Sequence, residues 1–208
     1  MFSTFIIIVI TTLYCVVHSY TASNPFKSRV REKFGPETTR WYRLAYNSLS
    51  VVSFLPVIWL LRVLPDKMIY FIPLPWPILT LIVQVIGFII IALGLSQTGI
   101  VSFGGFQPLL SSDRTPDDPG FVKSGIYGWV RHPLYFGGLL VIWPAASMTI
   151  NLLAFLVICT VYFIVGARLE EERYVERFGE EYVKYQQEVL MLIPDIRRLV
   201  NLVVKRNT

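Results

Sequence analysis

The sequence predicts an all-α integral membrane protein with about five transmembrane helices. The last two form a hairpin, and an amphipathic helix on the cytoplasmic face follows it. Three observations predict this class. Hydrophobic residues fill 54% of the 208 positions and charged residues 16%, with a mean hydropathy of +0.55, far from the globular norm. No charged residue falls between Leu134 and Ala167. The Lys and Arg residues are also unevenly shared among the segments that separate the apolar runs, as membrane orientation requires.

Crossing the hydrocarbon core takes roughly 20 apolar residues, fewer where flanking groups reach outward. Phe2 to about His18 forms the first span; "MFSTFIIIVI" lacks the basic start of a signal peptide, so the segment is expected to be retained. The second span runs from about Leu44 to Leu61, with Asn47 available for an interhelical hydrogen bond. The third runs from about Ile78 to Leu95, entered through "PLPWP". The uncharged run from Leu134 to Ala167 would be about 51 Å long as one helix, well beyond a core of ~30 Å. It must turn back, and "WPAASMTIN" (Trp143 to Asn151) supplies proline, small and polar residues for the turn. A helix from Pro133 to Met148 covers about 22 Å and its return from Ile150 to Arg168 about 27 Å, so both ends finish at similar depth.

Charge fits this count. Five spans leave segments 24–43 and 98–132 and the C-terminal tail on one face. Together these hold 17 of the 19 Lys and Arg, with only Arg62 and Lys67 opposite. The positive-inside rule puts the 17 in the cytoplasm and the N-terminus outside. Beyond the hairpin, Tyr174, Phe178, Tyr182, Tyr185 and Val189 recur at helical spacing among Glu, Lys and Arg, the pattern of a surface helix; Gly179 is its weak point. The chain thus reads as a single membrane domain over 1–208. Three N-terminal spans occupy 1–97, a cytoplasmic loop 98–132, the hairpin and amphipathic helix 133–195, and a basic tail 196–208. Cys15 and Cys159 lie in apolar runs without Cys-x-x-Cys spacing, so neither a disulfide framework nor a metal site is expected. The net charge of +5 reads as attraction to the lipid bilayer, with no basic repeat for nucleic acid.

The chemistry concentrates in "GIYGWVRHPLYFGG", Gly125 to Gly138. Proline favours the first helical position, so His132 should sit at a helix N-terminus, beside unpaired N–H groups and the positive end of the dipole. Arg131 adds fixed positive charge, making a seat for a carboxylate or phosphate, and Tyr135 lies near the same face. The hairpin returns Arg168, Glu170 and Glu171 to that level. Such a mixed cluster at the membrane edge is costly unless paired or used, and it suits a ligand bearing both an ammonium and a carboxylate. Singly, each residue has a plainer reading: Arg131 as a positive-inside anchor, Pro133 as a helix starter, Glu170 to Glu172 as a solvated face, His18 as an interfacial residue.

In combination the residues resemble a membrane methyltransferase superfamily, the one holding isoprenylcysteine carboxyl methyltransferases and phospholipid N-methyltransferases. The resemblance rests on Arg131-His132-Pro133-Leu134-Tyr135, Glu170-Glu171, Phe178-Gly179-Glu180-Glu181-Tyr182-Val183-Lys184-Tyr185 and Ile193-Pro194. "GIYGWVRHPLY", "MTINLL", "RLEEER" and "VLMLIP" are most similar to the methanethiol (small-thiol) S-methyltransferase branch and to NnrU-like proteins. That branch reads Trp-Ala-Thr-Pro where this chain has Trp143-Pro144-Ala145-Ala146. The resemblance implies S-adenosylmethionine as methyl donor, bound by Arg131, His132, Tyr135, Glu170 and Glu171, with Tyr127 and Trp129 against the adenine. It also implies a small lipophilic thiol or a lipid as acceptor. His132, Arg168 and Tyr135 are the catalytic candidates, and His132, Arg168 and the cationic donor itself all remain open as promoters of thiol deprotonation. Rival implications are methylation of an isoprenylcysteine carboxylate or a phospholipid amine, NADPH-dependent reduction, and a non-enzymatic membrane role. Oligomeric state is open. So is the segment Gly104-Gly105-Phe106-Gln107, which either lines the site or turns the loop.

Overall fold

A computed structural model describes residues 1–106 and 121–194. The tail 196–208, Gln107 and the middle of loop 98–132 therefore lie outside the described residues. Among the described residues, four helices are long and apolar enough to cross a membrane: α1 (Phe2–Ala22), α3 (Thr38–Val63), α4 (Pro77–Thr98) and α7 (Ile150–Phe178). Shorter helices are α2 (Asn24–Phe34), α5 (Ile100–Gly104), α6 (Pro133–Ile142) and α8 (Glu180–Glu188), with a 3-10 turn at Gly125–Gly128. Strands β1 (Met68–Phe71) and β2 (Ser147–Thr149) pair antiparallel. Along the long helices, Phe5, Val51, Trp59 and Phe88 are each at least 60% exposed. Apolar surface on that scale needs lipid around it, so the protein is an integral, multi-pass membrane protein.

The chain divides into two compact units. The first gathers α1, α2, α3, β1, α5, β2 and α7 as far as Tyr162. Its α1 buries Ile7, Thr11 and Cys15, one helical stripe at steps of four. Asn47 does what its place in an apolar helix demands, donating to the carbonyls of Phe103 (3.0 Å) and Gly104 (2.9 Å). Gly105, at φ 77°, turns the chain at the end of α5 within this unit. The "MTIN" stretch starts α7: Thr149 Oγ1 accepts from the Leu152 N–H, and the Asp66 carboxylate accepts from the Asn151 N–H at 3.1 Å, negative charge at a helix N-terminus. Asn151, 1% exposed, also accepts from Thr4 Oγ1 and donates to the Pro65 carbonyl.

The second unit gathers α4, the 3-10 turn, α6, α7 from Phe163 onward, and α8. Here α4 and α6 meet backbone to backbone: a Cβ on Gly87 would lie 2.7 Å from the Gly137 carbonyl oxygen, and one on Gly137 equally close to that of Gly87. Small residues permit such an approach between apolar helices, and it anchors the segment bearing the basic pair.

Four expectations are corrected. Residues 133–148 do not form one helix, because α6 stops at Ile142. Pro144 has no N–H to continue it, and Gln84 Nε2 takes the freed carbonyls of Val141 (3.1 Å) and Pro144 (3.2 Å). The return helix does not end at Arg168 but runs unbroken to Phe178. The aromatic period then crosses a break rather than one helix: Gly179, at φ 58°, turns the chain in a region only glycine enters freely. Tyr182, Tyr185 and Val189 of the following segment fold against Phe121, Tyr174, Val175 and Phe178. Segment 24–43, read as a loop, contains α2, started by Ser23 Oγ accepting from the Phe26 N–H and ended at Gly35.

Candidate functional site

The polar cluster lies wholly in the second unit. The start of α6 carries Arg131, His132 and Tyr135, α7 carries Glu170 and Glu171, and α8 carries Gln186. Pro133 occupies the first turn of α6, with His132 as its N-cap residue. The chain after α8 runs alongside: the N–H groups of Arg131 and His132 donate to the carbonyls of Leu190 (2.9 Å) and Met191 (3.1 Å). The aromatic core beneath α8 holds that strap in place, and Tyr185 Oη donates to the Tyr127 carbonyl at 2.6 Å.

Glu171 is the hub. Its Oε1 accepts from Arg131 Nε at 2.6 Å and faces His132 Nε2 at 3.0 Å. Its Oε2 accepts from Arg131 at 3.1 Å and from Gln186 Nε2 at 2.9 Å. Burial pushes this carboxyl up, but the hydrogen bonds from His132, Arg131 and Gln186 and the Arg131 charge outweigh it, holding the group at about 2. Glu171 is thus an acceptor-only carboxylate, which places a proton on His132 Nε2 and leaves Nδ1 turned toward Glu170 Oε2, 3.7 Å away. Arg131 directs two further N–H groups at the carbonyls of Gln186 (2.7 Å) and Val189 (2.6 Å), so its fork clasps the strap as well as the carboxylate.

Glu170 differs from its neighbour. Its side chain is 40% exposed, and Tyr135 Oη donates to it at 3.4 Å. The Tyr135 ring stacks between His132 (5.5 Å) and Phe163 (5.3 Å). Since Arg131 and Glu171 neutralise each other, the charge this cluster presents outward is the Glu170 carboxylate.

Of the residues singled out in the sequence, Arg131, His132, Tyr135, Glu170 and Glu171 come together. Arg168 is exposed and stands outside this network among the described residues. Trp129 is 39% exposed and Tyr127 half-buried, both on the turn leading into the cluster. Gln186, Phe163 and the strap were missed. Gln186 sits beside Tyr185 in the aromatic period but off its apolar face, which was the available signal.

No solved structure matches this chain. Among curated proteins, it is 33% identical over 189 residues to a methanethiol S-methyltransferase of a Pseudomonas species, strain GM41, covering 89% of this chain and 71% of the relative. It is 32% identical over 201 residues to a methanethiol S-methyltransferase of Pseudomonas deceptionensis, covering 92% and 72%. A protein-S-isoprenylcysteine O-methyltransferase of Saccharomyces cerevisiae is 31% identical over 88 residues, 40% of this chain and 36% of that protein. The family described as NnrU protein matches residues 6–202, nearly the whole sequence including the cluster, and the chain belongs to that family.

Proposed function

We propose that this protein is an S-adenosylmethionine-dependent membrane methyltransferase that S-methylates a small lipophilic thiol. The observation that carries the reading is the outward-facing Glu170 carboxylate, flanked by Tyr135 and His132 at the N-terminus of α6, in a chain similar over nine-tenths of its length to proteins named methanethiol S-methyltransferases.

The residues suit the donor. Glu170 offers a carboxylate to its ammonium or its ribose hydroxyls, and the N-terminus of α6, the positive end of that helix's dipole, suits a carboxylate. Arg131 has one N–H left beyond its clasp for the same carboxylate. Tyr127 and the exposed face of Trp129 offer aromatic surface for a purine. When bound, the donor supplies a methyl group on a cationic sulfonium. Glu170 leaves the cluster with net negative charge, which favours that cation. A thiol must lose its proton to become nucleophilic. His132 Nδ1, the ring nitrogen not bonded to Glu171, accepts that proton, and the imidazolium so formed lies between two carboxylates. Arg168 is assigned no part in this step. The apolar helices admit a lipophilic acceptor and exclude water, the remaining requirement for an aligned displacement.

Topology follows the same reading: one membrane domain with five crossings, the N-terminus outside and the cluster in the cytoplasm. The helix α6 spans about 15 Å, half the core, and residues 143–149, which turn at Trp143–Ala145 and end in β2, complete the crossing. The pairing of β2 with β1 supports this, since it puts the end of that crossing beside the α3–α4 link, the side bearing Arg62 and Lys67.

The test is calorimetry on detergent-purified protein with S-adenosylmethionine and NADPH side by side, followed by assay of methanethiol, a prenylcysteine and a phospholipid amine as acceptors. Saturable donor binding and conversion of methanethiol to dimethyl sulfide are expected. NADPH binding alone would move the reading to a reductase, and binding of neither by folded protein would leave the cluster structural.

A further inference from the structure

The link between α1 and α3 folds into a helix whose composition the methyl-transfer reading leaves unused. In eleven residues α2 carries Lys27, Arg29, Arg31 and Lys33 against a single carboxylate, Glu32, and buries none of its residues. On a helix, Phe26, Val30 and Phe34 share one stripe at steps of four. Lys27 and Arg31 flank that stripe on one side, Arg29 and Lys33 on the other, and Glu32 falls almost opposite it. All four cations are exposed. The stripe is anchored at its start, where Phe26 meets Tyr20 edge-on at 5.1 Å and Arg29 donates to Tyr20 Oη at 2.7 Å. It is open at its end, where Phe34 is 66% exposed under the Lys33 ammonium, 5.4 Å away.

Position fixes what can cover this face. Helices long and apolar enough to cross a membrane precede and follow α2, joined to it by Ser23 on one side and by residues 35–37 on the other. Three residues reach at most about 10 Å, so α2 is held at the surface into which both neighbours plunge. Trp41, 45% exposed on the first turn of α3 with Arg40 over its ring at 5.7 Å, belongs at the same headgroup level.

We propose that α2 is an interfacial helix that binds anionic phospholipid headgroups. Its Phe26-Val30-Phe34 stripe enters the acyl boundary, and its two rows of cations reach back to the phosphates. A zwitterionic headgroup carries no net charge for four cations, and a soluble phosphate offers nothing to the aromatic stripe. The acidic edge, at Glu32, points away from the lipid.

Full-length protein, delipidated in neutral detergent, is titrated with phosphatidylglycerol, phosphatidylcholine and glycerol phosphate, and bound adducts are counted by native mass spectrometry. The wild type should retain phosphatidylglycerol over phosphatidylcholine. Lys27→Gln with Arg31→Gln should cut that preference at least about fivefold, since each cation at an anionic surface contributes a factor of roughly five. Phe34→Ser should weaken phosphatidylglycerol retention too, and Glu32→Gln should not. Because these side chains are exposed, the variants should keep the wild-type unfolding midpoint; if the pair does not, Arg29→Gln with Lys33→Gln on the other flank takes its place. Equal retention of the two lipids, an undiminished preference in the paired variant, or glycerol phosphate binding as tight as phosphatidylglycerol would each overturn the proposal.

Discussion

The chain has two histidines, set in opposite kinds of polar surroundings. His18, in the first unit, is met by neutral groups: Tyr46 Oη lies 2.7 Å from Nε2 and Ser50 Oγ 3.0 Å from Nδ1. Tyr14 stacks on its ring at 5.6 Å, and Tyr162 stands edge-on at 6.0 Å. His132, in the second unit, is held between carboxylates and is 6% exposed. Hydroxyls both donate and accept, so the His18 network re-satisfies itself when one member changes. Charges cannot do this, and each ionic partner around His132 depends on the others. The difference teaches how each network bears change: the neutral one can lose a member and re-pair, whereas the ionic one depends on every charge in it.

The most severe way to break the comparison is Glu171→Ala. It leaves the Arg131 guanidinium, only 10% exposed, without its carboxylate, and takes from the Gln186 side chain its acceptor. Removing one partner of a buried pair costs about 3–5 kcal/mol. The variant should unfold at markedly lower temperature than wild type in detergent. A midpoint unchanged by this substitution would mean that the carbonyls of Gln186 and Val189 suffice for Arg131.

Acid sharpens the same contrast. Glu171 is held at about 2, below its ordinary 4.5. A depressed carboxyl stabilises the fold fully above about pH 4.5 and loses that contribution as pH falls through about 2. A shift of this size corresponds to about 3 kcal/mol. Denaturation curves taken between pH 5 and 2 should therefore fall steeply for wild type. The slope should flatten for Glu171→Gln, while His18→Phe should track the wild type.

These contrasts also mark what was legible in the sequence. The long apolar helices could be read because uncharged runs and the placement of Lys and Arg report directly on a membrane. The early end of α6 was only half legible: Pro144 marks it locally, but the carbonyls there are satisfied by Gln84, about 60 positions away. The helix α2 was hidden because its three-residue stripe is short and lies among charges. In the site, the spacing from Arg131 to Tyr135 and the Glu170-Glu171 pair pointed to side chains that do come together. Their division of labour was invisible, because it follows from burial: adjacent carboxylates on α7 differ in exposure, 9% for Glu171 and 40% for Glu170. Sequence proximity to Glu170 did not bring Arg168, which is exposed, into the network.

That division predicts a separation of effects. Glu170→Ala removes an exposed carboxylate that neither Arg131 nor the strap uses, so the unfolding midpoint should barely move. Loss of a charge-assisted hydrogen bond to a ligand costs about 1.5–3 kcal/mol, so S-adenosylmethionine should bind roughly ten- to a hundredfold more weakly in calorimetry. Equal losses of stability and binding would instead make Glu170 a structural partner like Glu171.

The smallest expected effect lies at the other histidine. In His18→Phe the ring stays, so the stack on Tyr14 and the edge contact with Tyr162 persist. The hydrogen bonds from Tyr46 and Ser50 are lost. Ser50 Oγ also donates to the Tyr46 carbonyl at 2.7 Å, and Tyr46 Oη, near the end of the apolar stretch, can turn to water or a headgroup. Hydrogen bonds between side chains of membrane helices contribute on average about 0.6 kcal/mol, so a shift of only a few degrees in the unfolding midpoint is expected, with donor affinity unchanged. The same exchange at His132 deprives Glu171 of one hydrogen bond and Glu170 of its ring partner, and both midpoint and donor affinity should fall. If His18→Phe abolished donor binding while leaving the midpoint intact, the neutral cluster would be part of the active machinery, and the contrast between the two histidines would be one of role in catalysis rather than of catalysis against packing.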